Sequence, residues 1–150
     1  MPPYPGLLIA AARRRIKRAV LDRVTEWRLT PQQFWMLIAI QEHPGISQVE
    51  IAGRTRAEAP DVSRALSALA ERGLVRTEVD REDRRRTRVW LTRSGSRTTK
   101  ELAPIARSLR EAIVAGMSRD EIASLCTALQ RVVENLDALD ARTSRERERA

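Results

Sequence analysis

The 150-residue sequence contains one cysteine and one histidine. A single thiol, Cys126, excludes an internal disulfide and any multi-cysteine zinc or iron site, and the lone His43 excludes a His-rich metal site; no metal or other cofactor is expected. No apolar run approaches the ~18 residues that a membrane-spanning helix needs. The apolar opening from Leu7 to Ala12 runs straight into Arg13-Arg14-Arg15. That order reverses the charge sequence of a secretory signal and predicts a cytoplasmic protein without a membrane partner. There is no repeat with a period of about 20 to 50 residues. A Ser/His/Asp set and a Gly-rich phosphate loop are also missing, so an enzyme is not expected. Lysine is nearly absent, at Lys17 and Lys100 only.

What the sequence has is arginine. Basic residues number 28 against 20 acids, for a net charge of +8 and a pI near 11.1. Such a surface attracts polyanions, nucleic acid ahead of acidic membrane. The positive charge comes mainly as planar guanidinium forks suited to phosphates and base edges. It is also clustered: between Arg72 and Arg97 nine arginines (72, 76, 81, 84, 85, 86, 88, 93 and 97) face four acids (Glu78, Asp80, Glu82 and Asp83). That segment alone accounts for five of the eight net charges, a phosphate-binding footprint. The plainer alternative is a solvated hairpin whose charges keep it soluble.

The chain is long enough for one domain or two closely joined small ones. Apolar residues at Ile9, Ala12, Ile16, Val20, Val24 and Trp27 recur every three or four positions and predict a first helix over about 7 to 27. Thr30-Pro31-Gln32-Gln33 is a capping box with proline at the first helical position, opening a second helix that ends near His43-Pro44-Gly45. Its body, Phe34 to Ile40, is apolar all round, which implies burial against several neighbours. Ser47-Gln48-Val49-Glu50 opens a short third helix to about Arg54. A fourth, from about Pro60 to Arg72, turns Val62, Ala65, Leu66 and Leu69 inward and is stopped by Gly73. Two short helices joined tightly suggest helix-turn-helix. Leu74 to Val79 and Thr87 to Leu91 read as a β-hairpin with its tip at Asp80 to Arg86.

Thr92 can cap a fifth helix marked by Leu102, Ile105, Leu109, Ala112 and Ile113. Ser118-Arg119-Asp120-Glu121 caps a sixth, in which Ile122, Leu125, Leu129, Val132, Leu136 and Leu139 form a narrow seam. That seam can meet other helices of the same chain or a second copy; the second copy is favoured, because the central segment has its own core. The charged tail 142 to 150 is expected to fray or extend the sixth helix.

The outward side of the fourth helix presents Asp61, Ser63, Arg64, Ser67 and Ala68. Small polar side chains let a helix sit deep in a major groove, with Arg64 within reach of guanine O6 and N7. A slim arginine-rich hairpin tip suits a narrow minor groove.

Residues Ser47 to Gly95 resemble the winged helix-turn-helix of the MarR family of bacterial transcription regulators, and the flanking helices resemble its six-helix plan. The resemblance rests on Pro60-Asp61-Val62-Ser63-Arg64, on Leu69-Ala70-Glu71-Arg72-Gly73-Leu74-Val75, on the wing Asp80-Arg81-Glu82-Asp83-Arg84-Arg85, and on Leu91-Thr92-Arg93-Ser94-Gly95. It implies a mainly α fold with a small antiparallel β-hairpin wing. Residues 31–97 would form the DNA-binding domain, and 1–30 with 98–145 a dimerisation region. It further implies a homodimer on pseudo-palindromic double-stranded DNA, acting as a repressor that a small-molecule effector releases. Pro60, Asp61, Ser63 and Arg64 would serve the major groove; in the wing Asp83 would orient an arginine while Arg84 or Arg85, flanked by Arg86, enters the minor groove. Trp27, Trp35 and Met36 are candidates for a ligand cleft, with core packing as the alternative.

The chain departs from the family pattern at Arg56, where glycine is common in the turn, and at Gly53 inside the preceding helix. Asp61 stands where serine or threonine is frequent; it can accept from cytosine N4, cap the helix or repel phosphate, with capping ranked first. Cys126 reads as buried filler and His43 as a helix-end residue. The competing function is a nonspecific architectural nucleic-acid-binding protein, which would need the arginines but not the helix face.

Overall fold

The computed structural model describes the backbone of residues 4–149 and the side chains of residues 4–142. The chain divides into two compact units, one up to Ile113 and one from Val114. In the first unit α1 (Pro5–Val24) is followed by a 3₁₀ turn (Thr25–Trp27), α2 (Pro31–Glu42), β1 (Ile46–Ser47), α3 (Gln48–Thr55), α4 (Ala59–Glu71), β2 (Val75–Val79), β3 (Thr87–Leu91) and α5 (Arg93–Ile113). The second unit carries α6 (Arg119–Arg149).

The helix starts follow from local chemistry. At α2 the Thr30 hydroxyl accepts from the Gln33 N–H (3.1 Å) while Gln33 Oε1 accepts from the Thr30 N–H (3.0 Å). Ser47 and Glu50 repeat the device at α3, and Ser118 and Glu121 at α6. Each box satisfies two backbone donors that a helix start would otherwise leave open.

The core is built around α2. Phe34 and Met36 to Ile40 are all buried, against Val20 and Val24 of α1, Ile51 of α3, Val62, Leu66 and Leu69 of α4, Val89 of β3, and Leu102, Ala106 and Leu109 of α5. Full burial of each such aliphatic side chain contributes about 1.5–3 kcal/mol. The first helix is shorter than its apolar spacing predicts: it ends at Val24, and Trp27 belongs to the 3₁₀ turn. Arg28 closes that turn in the left-handed region (φ 51°), donating its N–H to Thr25 O.

The expected hairpin is one part of a three-stranded antiparallel sheet of order β1-β3-β2. The added strand is only two residues long, pairing Ile46 with Val89 and Ser47 with Arg88, too short to leave an alternating pattern. Gly45 just before it takes φ +77°, and a Cβ there would stand 2.7 Å from the Trp90 ring. Only glycine fits both conditions.

The wing and α5 are joined at one tight crossing. Thr92 donates its N–H to Leu74 O (3.1 Å) and its hydroxyl to Gly73 O (2.6 Å), while its hydroxyl oxygen accepts from the Gly95 N–H (3.0 Å). Thr92 is thus the expected cap of α5. A Cβ on Gly95 would lie 1.9 Å from Leu74 O, so the glycine of the Leu-Thr-x-x-Gly sequence serves backbone packing. Along α5 the inward stripe is narrower than expected: Leu102, Ala106 and Leu109 are buried, but Ala112 and Ile113 are exposed.

On α6, Leu125, Leu129, Leu136 and Leu139 of the predicted seam are exposed and Ile122 and Val132 half-buried. Cys126 is exposed as well, which corrects its reading as buried filler. No described side chain of α6 is fully buried, since a seam two residues wide hides its flanks only under a facing surface. The tail continues α6 as helix to Arg149; its side chains from 143 onward lie outside the described residues.

The glycine geometry separates two otherwise similar substitutions. Gly95→Ala should cost about 1–3 kcal/mol because the intruding methyl meets backbone. Gly53→Ala, inside α3 with no atom within 4 Å of its added Cβ, should stabilise by about 0.5–1 kcal/mol. Thermal or denaturant unfolding measures both; equal effects would refute the assignment.

Candidate nucleic-acid interface

The candidate reading helix, α4, is held by its buried face on α2, α3 and β2. Pro60, Ser63, Arg64 and Ser67 are exposed, and Asp61 is half-buried. Glu58 occupies the N-cap without a side-chain hydrogen bond, and Pro60 lies in the first turn. Asp61 does not cap: it is the third residue of the helix, the place from which Gln33, Glu50 and Glu121 reach back to their N-cap amides, but it makes no such bond to Glu58. It pairs instead with Arg64 one turn on, keeping the guanidinium along the helix. Before α4, Arg56 ends α3 in the left-handed region (φ 51°), so the turn reaches the conformation expected of glycine with an arginine in place.

The wing is organised from its base. Asp80 is buried, and its Oδ1 accepts the N–H groups of Glu82 (2.8 Å) and Asp83 (3.3 Å). Its Oδ2 accepts from Arg88 Nε at 2.6 Å, and Arg88 Nη1 donates to Gly45 O at 3.0 Å. The Glu82 amide, then the Arg88 guanidinium, holds the Asp80 carboxyl below the ordinary carboxylate range, while the hydrogen bond to Asp80 raises Arg88. At the tip Asp83 Oδ1 accepts the Arg85 N–H (3.0 Å) and Oδ2 lies 3.4 Å from Arg86 Nε. Asp83 therefore faces Arg86, and the Arg84 and Arg85 side chains form no ion pair among the described residues.

This geometry narrows the charge footprint counted from sequence. Arg72 donates to backbone carbonyls, Arg76 pairs with Glu78 and lies over Trp90, Arg86 pairs with Asp83, and Arg88 pairs with Asp80. Of the nine arginines, 81, 84, 85, 93 and 97 remain without an ion pair or a side-chain hydrogen bond among the described residues. Sequence reasoning missed the Asp80–Arg88 lock, although the alternation of acid and arginine around the tip carried the signal. It also missed a second concentration of charge: α1 has six basic residues and a single acid, Asp22, with Arg13, Arg14, Arg15, Lys17 and Arg18 all exposed.

The α4 set and the wing-tip set are two separate clusters, with no hydrogen bond or ion pair joining them among the described residues. Of the three cleft candidates, Met36 is completely buried in the core. Trp27 is half-buried with Nε1 donating to Glu101 Oε2 at 3.1 Å, and Trp35 is half-buried edge-on to Phe34 beneath Arg110. His43 ends α2, its N–H donating to Ala39 O. Among the described residues no helix is long and apolar enough to cross a membrane.

The Asp80 lock has a pH signature. Because the native carboxyl titrates below its ordinary value, its stabilising effect is present above the unfolded pKa of about 3.9 and is lost as pH falls through the lowered native value. The Glu82 and Asp83 amide resonances should hold their positions from about pH 8 to 5 and move together only in more acidic solution. Asp80→Asn should shift both at neutral pH while leaving α2 amides unchanged.

A MarR family model matches residues 29–86. Transcriptional regulator HosA of Escherichia coli O127:H6 (strain E2348/69 / EPEC) is 34% identical over 93 residues, 62% of this chain and 69% of HosA. The S. aureus MepR–DNA complex superposes with a TM-score of 0.76 at 23% identity, covering 89% of this chain and 99% of MepR. Bordetella bronchiseptica BpsR, whose DNA binding is regulated by 6-hydroxynicotinic acid, gives 0.72 at 24% identity over 87% of this chain and 97% of BpsR. The two structures establish the winged-helix fold, and the HosA match together with the family model establishes kinship: the chain belongs to the MarR family.

Proposed function

We propose that the chain is a transcriptional regulator, acting as a repressor, that reads double-stranded DNA as a homodimer on a pseudo-palindromic operator and is released by a small-molecule ligand. The observation that carries this reading is a helix with a small, polar, arginine-bearing exposed face in the same unit as a wing whose base is locked by Asp80 and whose Arg84 and Arg85 stay unpaired. In this reading residues 31–97 bind DNA. Pro60, Asp61, Ser63 and Arg64 lie at the major groove, where Arg64 exchanges Asp61 for a guanine edge. Arg84 or Arg85 enters the minor groove, with Asp83 holding Arg86 aside.

Residues 1–30 and 98–145 form the dimer region. Leu7 and Leu8 on α1 and Leu125, Leu129, Leu136 and Leu139 on α6, all exposed in the single chain, supply apolar surface for a second copy to cover. A ligand beside Trp27 and Trp35 would alter the separation of two reading helices that must match about 34 Å, one helical turn. The control of BpsR by 6-hydroxynicotinic acid supports such a step by analogy.

A second reading, a nonspecific architectural binder, is favoured by the exposed basic face of α1, which could take phosphates without reading bases. Competition separates the two: random duplex displacing a selected site at equal concentration favours the second. Under the first, Arg64→Ala should cost about 1–3 kcal/mol on the preferred sequence and relax discrimination at one base pair. Arg84→Ala should weaken binding to all sequences and lower the log–log salt slope by about one. Fluorescence anisotropy at several salt concentrations measures both, and parental binding by both variants would overturn the site assignment.

A further inference from the structure

Arg72 belongs by sequence to the charged run of the wing, yet its guanidinium points away from that role. It is the C-cap of α4. Its Nη1 donates to Arg28 O at 3.1 Å and its Nη2 to Trp27 O at 2.6 Å, crossing more than forty residues of chain. The two acceptors are consecutive carbonyls of the joint between α1 and α2, where Arg28 is held in the left-handed conformation (φ 51°). The same joint is tied to α5, because Trp27 Nε1 donates to Glu101 Oε2. A planar fork meeting two neighbouring carbonyls fixes direction as well as distance, which a point-charge ammonium cannot do.

The end of the candidate reading helix is thereby attached to the place where α1 gives way to α2, and through Trp27 to α5. We infer that Arg72 is a positioning residue that sets the angle of α4 against α1 and α5, and so sets which operator half-site spacing the protein accepts, while reading no base itself. This inference rests on the homodimer reading above, in which α1 and α5 belong to the region shared by two copies. In a dimer each reading helix is placed by the subunit contact and by whatever joins α4 to it. A loosened joint costs little at a single half-site and much at the second, because one base pair of spacing shifts a half-site by about 3.4 Å along the duplex and turns it around the axis.

The test uses the full chain and a duplex selected by it from a random pool, together with versions whose half-site spacing is one or two base pairs shorter or longer. The parent should prefer its own spacing by at least tenfold, roughly the cost of one mismatched position. Arg72→Lys keeps the charge without the fork, and Arg72→Gln removes the charge. Both should bind the parental spacing about five- to tenfold more weakly and spread affinity across neighbouring spacings to within about threefold, with base preference inside each half-site and the salt slope unchanged.

Melting temperatures within a few degrees of the parent's would show that both variants fold. The inference fails if both variants keep the parental spacing profile. It fails equally if Lys behaves as the parent while Gln loses about one unit of salt slope, since Arg72 would then be a phosphate contact. A parent that shows no sequence preference refutes the functional reading first, and this inference with it.

Discussion

The wing depends on one carboxylate. Asp80 gathers two amides of the turn and the Arg88 guanidinium, and Arg88 in turn reaches Gly45 O ahead of β1. A buried acceptor with three donors is strongly directional, so loop, sheet and the entrance to α3 are set by one group. The rest of the tip follows. Arg88 is neutralised at the base, Asp83 faces Arg86, and the unpaired charge of the tip falls to Arg81, Arg84 and Arg85. The wing is thus a shaped presentation of a few cations, and its other arginines hold the loop together.

A second constraint lies at the end of the β2–β3 hairpin away from its tip. Gly73, Leu74, Thr92 and Gly95 join β2, β3 and α5 by backbone contact, and Arg72 next to them joins α4 to the α1–α2 joint. The segment from Arg72 to Gly95 therefore carries both the exposed cations and the fastenings that aim them. The apolar residues left exposed on the first turn of α1 and along α6 fit the proposed contact between two copies.

Local chemistry made much of this legible in the sequence. Three capping boxes announced the starts of α2, α3 and α6, because each is complete within four residues. The all-round apolar body of α2 announced the centre of the core. What escaped depends on partners distant in sequence or on very short elements. β1 has two residues and no periodicity of its own. The Asp80–Arg88 lock and the reach of Arg72 to Trp27 and Arg28 appear only once the chain is folded. Asp61 was misjudged because the helix starts at Ala59 with Glu58 as its N-cap, which leaves Asp61 three residues past the cap and paired with Arg64. Cys126 was misjudged because burial was expected of a narrow helix that buries nothing fully in the single chain.

The most direct test of the proposed function is to let the full-length protein select duplexes from a random pool at near-physiological salt and to sequence what it retains. The account predicts enrichment of an inverted repeat whose half-site centres lie about one helical turn, 34 Å, apart. Retention governed by duplex length or composition alone, with no repeat enriched, would contradict it.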